Sequence, residues 1–156
     1  EYKKPALIFS GGESFLLAAG KPLWFEVRIR VNGATQSDFF VGLSETDTDV
    51  IDTPPADGVY FRKDDGDVNI DFVTMRDTVS TDNDTGVDAA DNTFVRLGFY
   101  YDGAGHVTAY VNGTARITHS TTINTDEEMR ITWCVQNGEG VIKSAGVDYV
   151  KCGQVR

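Results

Sequence analysis

An unbroken alternation of apolar and charged residues is the feature that most constrains the fold. The segment Phe25–Val31 places its four apolar side chains on one face of an extended chain and Glu26, Arg28 and Arg30 on the other. This pattern predicts an antiparallel strand with one face in a core and the other in water. The turn dipeptide that follows, Asn32 and Gly33, ends the strand.

A second unit, residues 94–119, predicts three consecutive strands. Asn112-Gly113 is the strongest short hairpin signal in the chain. A two-residue hairpin at this point pairs Val111 with Thr114 and Thr108 with Ile117, which assigns Tyr110 and Ile117 to the core face. It also places His106 opposite His119. We expect this histidine pair to be polar surface, with a metal site as the alternative. The strands of this unit are Val95–Tyr101, His106–Val111 and Thr114–His119.

Short strand-like runs separated by Gly, Asn or Asp continue along the whole chain. Such spacing, without a sustained helical period, is typical of a sandwich or barrel. The polar stretch Asp77–Asn92 is predicted as one long loop or a weakly formed edge hairpin. We therefore expect one all-β domain over residues 1–156, with residues 1–5 as a flexible arm. The further predicted strands are Ala6–Phe9, Ser14–Leu17, Phe39–Leu43, Gly58–Arg62, Val68–Val73, Met129–Gln136 and Gly146–Lys151.

Four stretches resemble the strands of a known family. Gly20–Arg28 is similar to its early long strand, Phe40–Ser44 to the next, Tyr101–Gly113 to its central hairpin and Val147–Val150 to its closing strand. The chain in this way resembles the concanavalin A-like lectin and glucanase (LamG-like) jelly rolls. The resemblance implies an antiparallel two-sheet jelly-roll sandwich.

The resemblance also suggests functions. Small acidic jelly rolls without catalytic residues are similar to tailed-phage virion components, notably capsid decoration proteins. The first hypothesis is thus a non-enzymatic virion subunit that contacts the major capsid protein or another virion protein as a homo-oligomer, with a trimer as our guess. The second is a carbohydrate-binding, lectin-like module that binds a surface glycan outside the cell. A glycoside hydrolase is the third.

The strand around Asp71 argues against hydrolysis. The glucanases of this fold carry Glu-x-Asp-x-Glu or a close variant on one strand, where alternate carboxylates serve as acid and nucleophile. Here Asn69, Asp71 and Val73 occupy the corresponding positions. A lone Asp among neutral groups cannot perform both roles. We therefore expect no enzymatic activity, and treat Asn69 and Asp71 as candidates for hydrogen-bonding a sugar.

Charge is concentrated in the middle of the chain. The net charge is -10, and residues 45–91 contain fourteen acidic and three basic side chains. So acidic a chain does not suit nucleic-acid binding, and no apolar run is long enough for a membrane span. The Asp-rich segments Asp64–Asp67 and Glu45–Asp49 offer oxygen ligands of the kind that Ca²⁺ takes, but without EF-hand spacing. We expect tight turns there and no cofactor, with bound Ca²⁺ as the alternative.

Aromatic residues and thiols complete the candidates. Trp24 and Phe25 are adjacent on one strand, so one of them points outward, and Trp24 is the candidate. Tyr100 and Tyr101 adjoin a turn and could also stack on sugar rings. Two cysteines, Cys134 and Cys152, are too few for a disulfide scaffold. A hairpin over residues 137–140 would keep them apart, so we expect separate thiols.

The N-terminal residues form a short basic arm on an acidic protein. Tyr2, Lys3 and Lys4 precede Pro5 and could contact a neighbouring subunit, although a frayed terminus is the simpler interpretation. The virion hypothesis predicts a location on the particle, and the glycan hypothesis predicts an extracellular one.

Overall fold

The computed structural model describes residues 12–156 and the backbone of Leu7 and Ile8. Within these residues the chain forms eleven strands and no helix, and accordingly contains no helix able to cross a membrane. The strands are β1 (Leu7–Ile8), β2 (Leu23–Val31), β3 (Ser37–Ser44), β4 (Gly58–Lys63), β5 (Asn69–Arg76), β6 (Val79–Asp88), β7 (Val95–Tyr101), β8 (Val107–Val111), β9 (Thr114–His119), β10 (Arg130–Asn137) and β11 (Ala145–Gln154).

Two antiparallel sheets pack face to face. One has the strand order β1-β10-β3-β4-β5-β6 and the other β11-β2-β7-β8-β9. Their inner faces form a common apolar core, in which the rings of Phe72 from β5 and Phe99 from β7 lie 6.2 Å apart across the layers. The alternation in β2 buries its apolar face as expected. The predicted all-β, two-sheet jelly-roll sandwich is therefore confirmed.

Most predicted strands occur with ends shifted by at most three residues. The predicted strand Ser14–Leu17 is wrong. Only Phe15 forms a bridge, to Met129, and the chain then bends where the Ala18 amide donates to the Leu16 carbonyl at 2.8 Å. Of the predicted strand Ala6–Phe9, β1 is observed, and the ends lie outside the described residues.

The stretch predicted as a loop or weak edge hairpin contains the ten-residue strand β6, which pairs with β5 at the sheet edge with one register shift between Asn69 and Asp71. The sequence pattern did not identify this strand clearly, because its exposed side chains are mostly Asp, Asn and Ser. An Asp-rich edge is soluble and resists pairing with other chains, so it needs no apolar alternation. The buried Thr85 anchors the strand, as its hydroxyl donates to the Ile70 carbonyl at 2.7 Å.

The β8–β9 hairpin has a different register from the predicted one. Val111 pairs with Thr114 and Tyr110 with Ala115 as expected, but the extra residue Arg116 on β9 then shifts the pairs of Ala109, Thr108 and Val107 by one residue. Ile117 consequently pairs with Ala109 on the core side, and Tyr110 points outward. The predicted pairing of His106 with His119 is also wrong, since Val107 takes that place.

The segment after β10 is not a hairpin. Residues 138–144 carry the chain from β10 in one sheet to β11 in the other, so β10 and β11 do not pair. Cys134 and Cys152 nevertheless remain separate thiols, as expected. Burial raises the pKa of both, to about 11 for Cys134 and about 12 for Cys152.

Candidate functional site

Two exposed aromatic side chains lie side by side on the outward face of the five-stranded sheet. Trp24 of β2 pairs directly with Tyr100 of β7, and the two are 46% and 41% exposed. On the other side of Trp24, β11 contributes Gly153, where a Cβ atom would come within 2.7 Å of the indole nitrogen. The indole ring therefore lies against a glycine. We refer to Trp24 and Tyr100 as the aromatic row.

A groove runs beside the aromatic row, across the strands. Its middle row is Lys151, Glu26, Gly98 and Tyr110, which are successive partners across β11, β2, β7 and β8. Gly98 has no side chain, so the sheet backbone forms the floor between Glu26 and Tyr110. The groove has a volume of about 370 Å³ and is lined by these four residues and the aromatic row, among others.

Beyond the groove lies an arginine row, formed by the direct partners Arg28 and Arg96. Arg28 contacts Asp148 at 2.7 Å, and the Nε of Arg96 lies 3.6 Å from the Glu26 carboxylate. The Tyr149 hydroxyl also donates to Glu26, at 2.8 Å. Arg96 and Tyr149 thus hold the Glu26 carboxylate in place. Because a carboxylate has about four acceptor sites, Glu26 can still accept hydrogen bonds from a ligand in the groove.

The opposite, six-stranded sheet presents a carboxylate cluster around Arg62. The strand pairing puts Asp71 opposite Arg62 on one side and opposite Asp84 on the other. Arg62 forms an ion pair of 2.7 Å with Asp82 and lies 3.8 Å from Asp64. Burial, and next the charge of Asp82, raises the pKa of Asp71. Burial also raises the pKa of Asp82, although the charge of Arg62 acts in the opposite direction.

An apolar cluster fills the centre of this six-stranded outer face. Val50, from the loop between β3 and β4, packs on Tyr60, Val73 and neighbouring side chains. The void described beside Tyr60 and Arg62 measures only about 10 Å³. This void cannot hold a sugar ring.

The structure separates the residues predicted from sequence. It brings Trp24 and Tyr100 together, as exposed neighbours, but buries Tyr101 to 1% exposure, so Tyr101 cannot serve as a surface platform. Asn69 and Asp71 lie on β5, in the other sheet, and cannot share a ligand with Trp24.

The predicted contacts of Tyr2, Lys3 and Lys4 lie outside the described residues. Sequence reasoning missed Tyr110, because of the bulge, and the glycine floor at Gly98. The alternation of β2 was the signal available, since it puts Trp24, Glu26 and Arg28 on one face.

The remaining candidates have structural roles in the described fold. His119 is buried, with hydrogen bonds to Thr74 and Asn83, whereas His106 is exposed and bonds Asp102. In the turn at Asp64–Asp67 the buried Lys63 ammonium donates to the carbonyls of Asp64 and Asp67, at 2.9 and 2.8 Å. Among residues 12–156, no three His, Cys, Asp or Glu side chains are grouped to hold a metal ion.

Comparison with known proteins adds information on the fold. No protein-family model and no curated protein sequence matches the chain. Among solved structures, an alginate lyase superimposes with a TM-score of 0.59 at 11% identity, over 92% of this chain and 69% of its own. A Bacillus licheniformis β-glucanase superimposes with a TM-score of 0.57 at 18% identity, over 84% of this chain and 64% of its own.

A third structure, a carbohydrate esterase of the Shiga toxin-encoding bacteriophage phi24B, gives a TM-score of 0.58 at 17% identity, over 98% and 76% of the two chains. The chain has the concanavalin A-like jelly-roll fold. This jelly roll corresponds to about two thirds of the length of the lyase and glucanase, and at such low identity the likeness concerns the fold alone.

Proposed function

We propose that this jelly roll is a non-catalytic carbohydrate-binding domain that holds a glycan in the groove of its five-stranded sheet. The observation that carries the proposal is the aromatic row, Trp24 beside Tyr100, exposed along a groove with a glycine floor. Flat aromatic rings next to a few polar groups are typical of sites that bind ring-shaped ligands with apolar faces. Glu26 and Tyr110 offer hydrogen-bonding groups to the sugar hydroxyls.

The absence of catalysis is part of the proposal, and the position of the carboxylates supports it. Asp71 and Asp82, whose raised pKa values suit a general acid, lie on the opposite sheet from the groove. A glycosidase needs two carboxylates on either side of a bound sugar. Next to these two carboxylates the face is filled by the apolar cluster of Tyr60 and Val73.

Glycan binding is tested by titration calorimetry, after a glycan array has selected the ligand. Trp24→Ala and Tyr100→Ala should each weaken binding at least about tenfold, because truncating an aromatic anchor costs on the order of 2 kcal/mol. Val79→Ala is the matched control, since Val79 is an exposed apolar residue on the six-stranded sheet. Saturable binding that survives both aromatic substitutions, or no binding to any glycan, would contradict the proposal.

Catalysis is tested on the same ligands by following the release of new chain ends. We expect no turnover by the wild-type protein. Turnover that disappears in Asp71→Asn or Asp82→Asn would show that the domain is an enzyme and that its site is on the six-stranded sheet.

A virion decoration subunit is the second candidate. Val141 and Ile142, adjacent on the segment between β10 and β11, are 62% and 69% exposed, and exposed apolar pairs of this kind favour contact with another protein. This candidate predicts self-association or binding to a capsid. Sedimentation analysis of the wild type and of a Val141→Ser, Ile142→Ser double variant tests this candidate. A wild-type protein that is monomeric and does not bind purified capsids would rule it out.

A further inference from the structure

The outward face of the five-stranded sheet has the opposite charge from the rest of the protein. Its strands carry two carboxylates, Glu26 and Asp148, and five cations, which gives a net charge of +3 on a chain of net charge -10. The remaining residues therefore carry -13. The five cations are Arg28, Arg30, Arg96, Arg116 and Lys151.

Intramolecular ion pairs account for only part of this positive charge. Arg28 pairs with Asp148, and Arg96 pairs with Glu26. Lys151 instead lies over the ring of Tyr149, with its ammonium 4.3 Å from the ring centre. Arg30 contacts the ring of Phe94 at 5.1 Å. Within the described residues, then, cations outnumber carboxylates on the strands of this sheet by three.

One cation lines the groove, and two more lie in the row beside it. Lys151 lines one end of the groove beside Glu26, and the arginine row lies one row beyond the groove floor. The aromatic row lies on the other side. A sugar ring stacked on Trp24 would thus have its substituents directed towards Lys151 and Arg96.

We propose that the ligand of this groove is an anionic polysaccharide whose sugar rings carry carboxylates, such as a uronic-acid polymer. This inference rests on the proposed glycan-binding function and names the ligand class. Arginine and lysine bind carboxylates through short, charge-assisted hydrogen bonds. A nucleic acid suits the site less well, because a long run of phosphates would meet Glu26, Asp148 and a strongly acidic chain.

The test compares two forms of one polymer. Calorimetry with oligomers of polygalacturonate, and with the same oligomers fully methyl-esterified, changes the ligand charge and keeps the sugar ring. We expect the ester to bind at least about tenfold more weakly, the equivalent of losing one charge-assisted contact. Binding of the acid form should also weaken when NaCl rises from about 50 to about 500 mM, because the contacts are exposed to solvent.

Variants locate the effect. Lys151→Gln and Arg96→Gln should each weaken binding of the acid form about tenfold, and should weaken binding of the ester by a smaller factor, because the ester carries no charge for them to contact. Arg76→Gln is the matched control, because Arg76 is a partly exposed cation on the six-stranded sheet, paired with Asp126. Thermal unfolding of every variant confirms that the fold is intact.

The outcomes separate this inference from the function on which it rests. Equal binding of the acid and the ester, or of neutral glycans alone, would overturn the inference and leave glycan binding in place. Binding of neither class would contradict the proposed function itself. Tighter binding of single-stranded DNA than of any acidic glycan, lost in Trp24→Ala, would show that the groove takes nucleic acid and would also overturn the inference.

Discussion

Removing the hydroxyl of Tyr60 should stabilise the protein. Tyr60 is 1% exposed, and its ring stacks on Phe40 with the ring centres 4.2 Å apart. Its hydroxyl is buried and has no hydrogen-bond partner among the described residues. Burial raises the pKa of this phenol, which Arg62 only partly opposes. The oxygen has therefore lost its hydration without gaining a hydrogen bond in return.

The magnitude follows from that lost hydration. Leaving a buried polar group unsatisfied costs roughly 1–3 kcal/mol. The small void left after the oxygen is removed offsets part of the stability gained by removing it. Tyr60→Phe should accordingly raise the free energy of unfolding by about 1 kcal/mol, and the melting temperature by roughly 2–4 °C for a domain of this size. Urea and thermal unfolding, followed by circular dichroism, measure both quantities.

Tyr101→Phe is the matched control. Tyr101 is equally buried, at 1% exposure, but the Gly105 backbone hydrogen-bonds its hydroxyl and partly offsets the rise in pKa that burial causes. The same deletion should therefore destabilise the protein here, by about 1 kcal/mol. The reasoning is refuted if Tyr60→Phe destabilises the protein as much as Tyr101→Phe does.

Two further predictions concern pH. Burial, and then the charge of Asp82, raises the pKa of Asp71, so the folded state binds the carboxyl proton of Asp71 more tightly than the unfolded state does. The stability that this protonated carboxyl contributes is lost as the pH rises through its folded pKa. Asp71→Asn should therefore raise the melting temperature at pH 7 and change it little at pH 3, as calorimetry can show; an equal or lower value at pH 7 would contradict this. His119 is held neutral by burial, which lowers its pKa below 6.5, and by hydrogen bonds to Thr74 and Asn83. The stability that neutral His119 contributes should be present above pH 6.5 and lost as the pH falls through the folded pKa. An NMR titration that gives His119 a pKa of 6.5 or higher would refute this prediction.

Much of the fold could be predicted because strand alternation is local. The alternation of Phe25–Val31 shows which side chains are buried before any partner strand is known. Asn112-Gly113 correctly predicts the turn between β8 and β9. The outward position of Trp24 followed from the same alternation. The polar edge strand β6 was predicted only as a loop or a weakly formed edge hairpin, because it has solvent on one side and only one partner strand.

Much of the candidate site could not be predicted. The extra residue Arg116 on β9 puts Ile117 opposite Ala109 on the core side, so Ile117 and Tyr110 do not share a face as the two-residue hairpin predicted. Tyr100 and Tyr101 are adjacent on β7, so alternation exposes one and buries the other, but the packing of the two sheets decides which one is buried. Tyr110 therefore lines the groove, and Tyr101 is buried and cannot contact a ligand there.

The amino-acid sequence by itself determined that the chain pairs its strands in two layers, since the alternating pattern leaves an apolar face on each sheet that only another sheet can cover. It also determined that Trp24, Glu26 and Arg28 point the same way. Only the tertiary structure decided which strands are neighbours. Gly98, Lys151 and Tyr100 meet in one groove while Asp71 lies on the far side of the core, because strand order depends on long-range pairing between segments that the local pattern cannot distinguish.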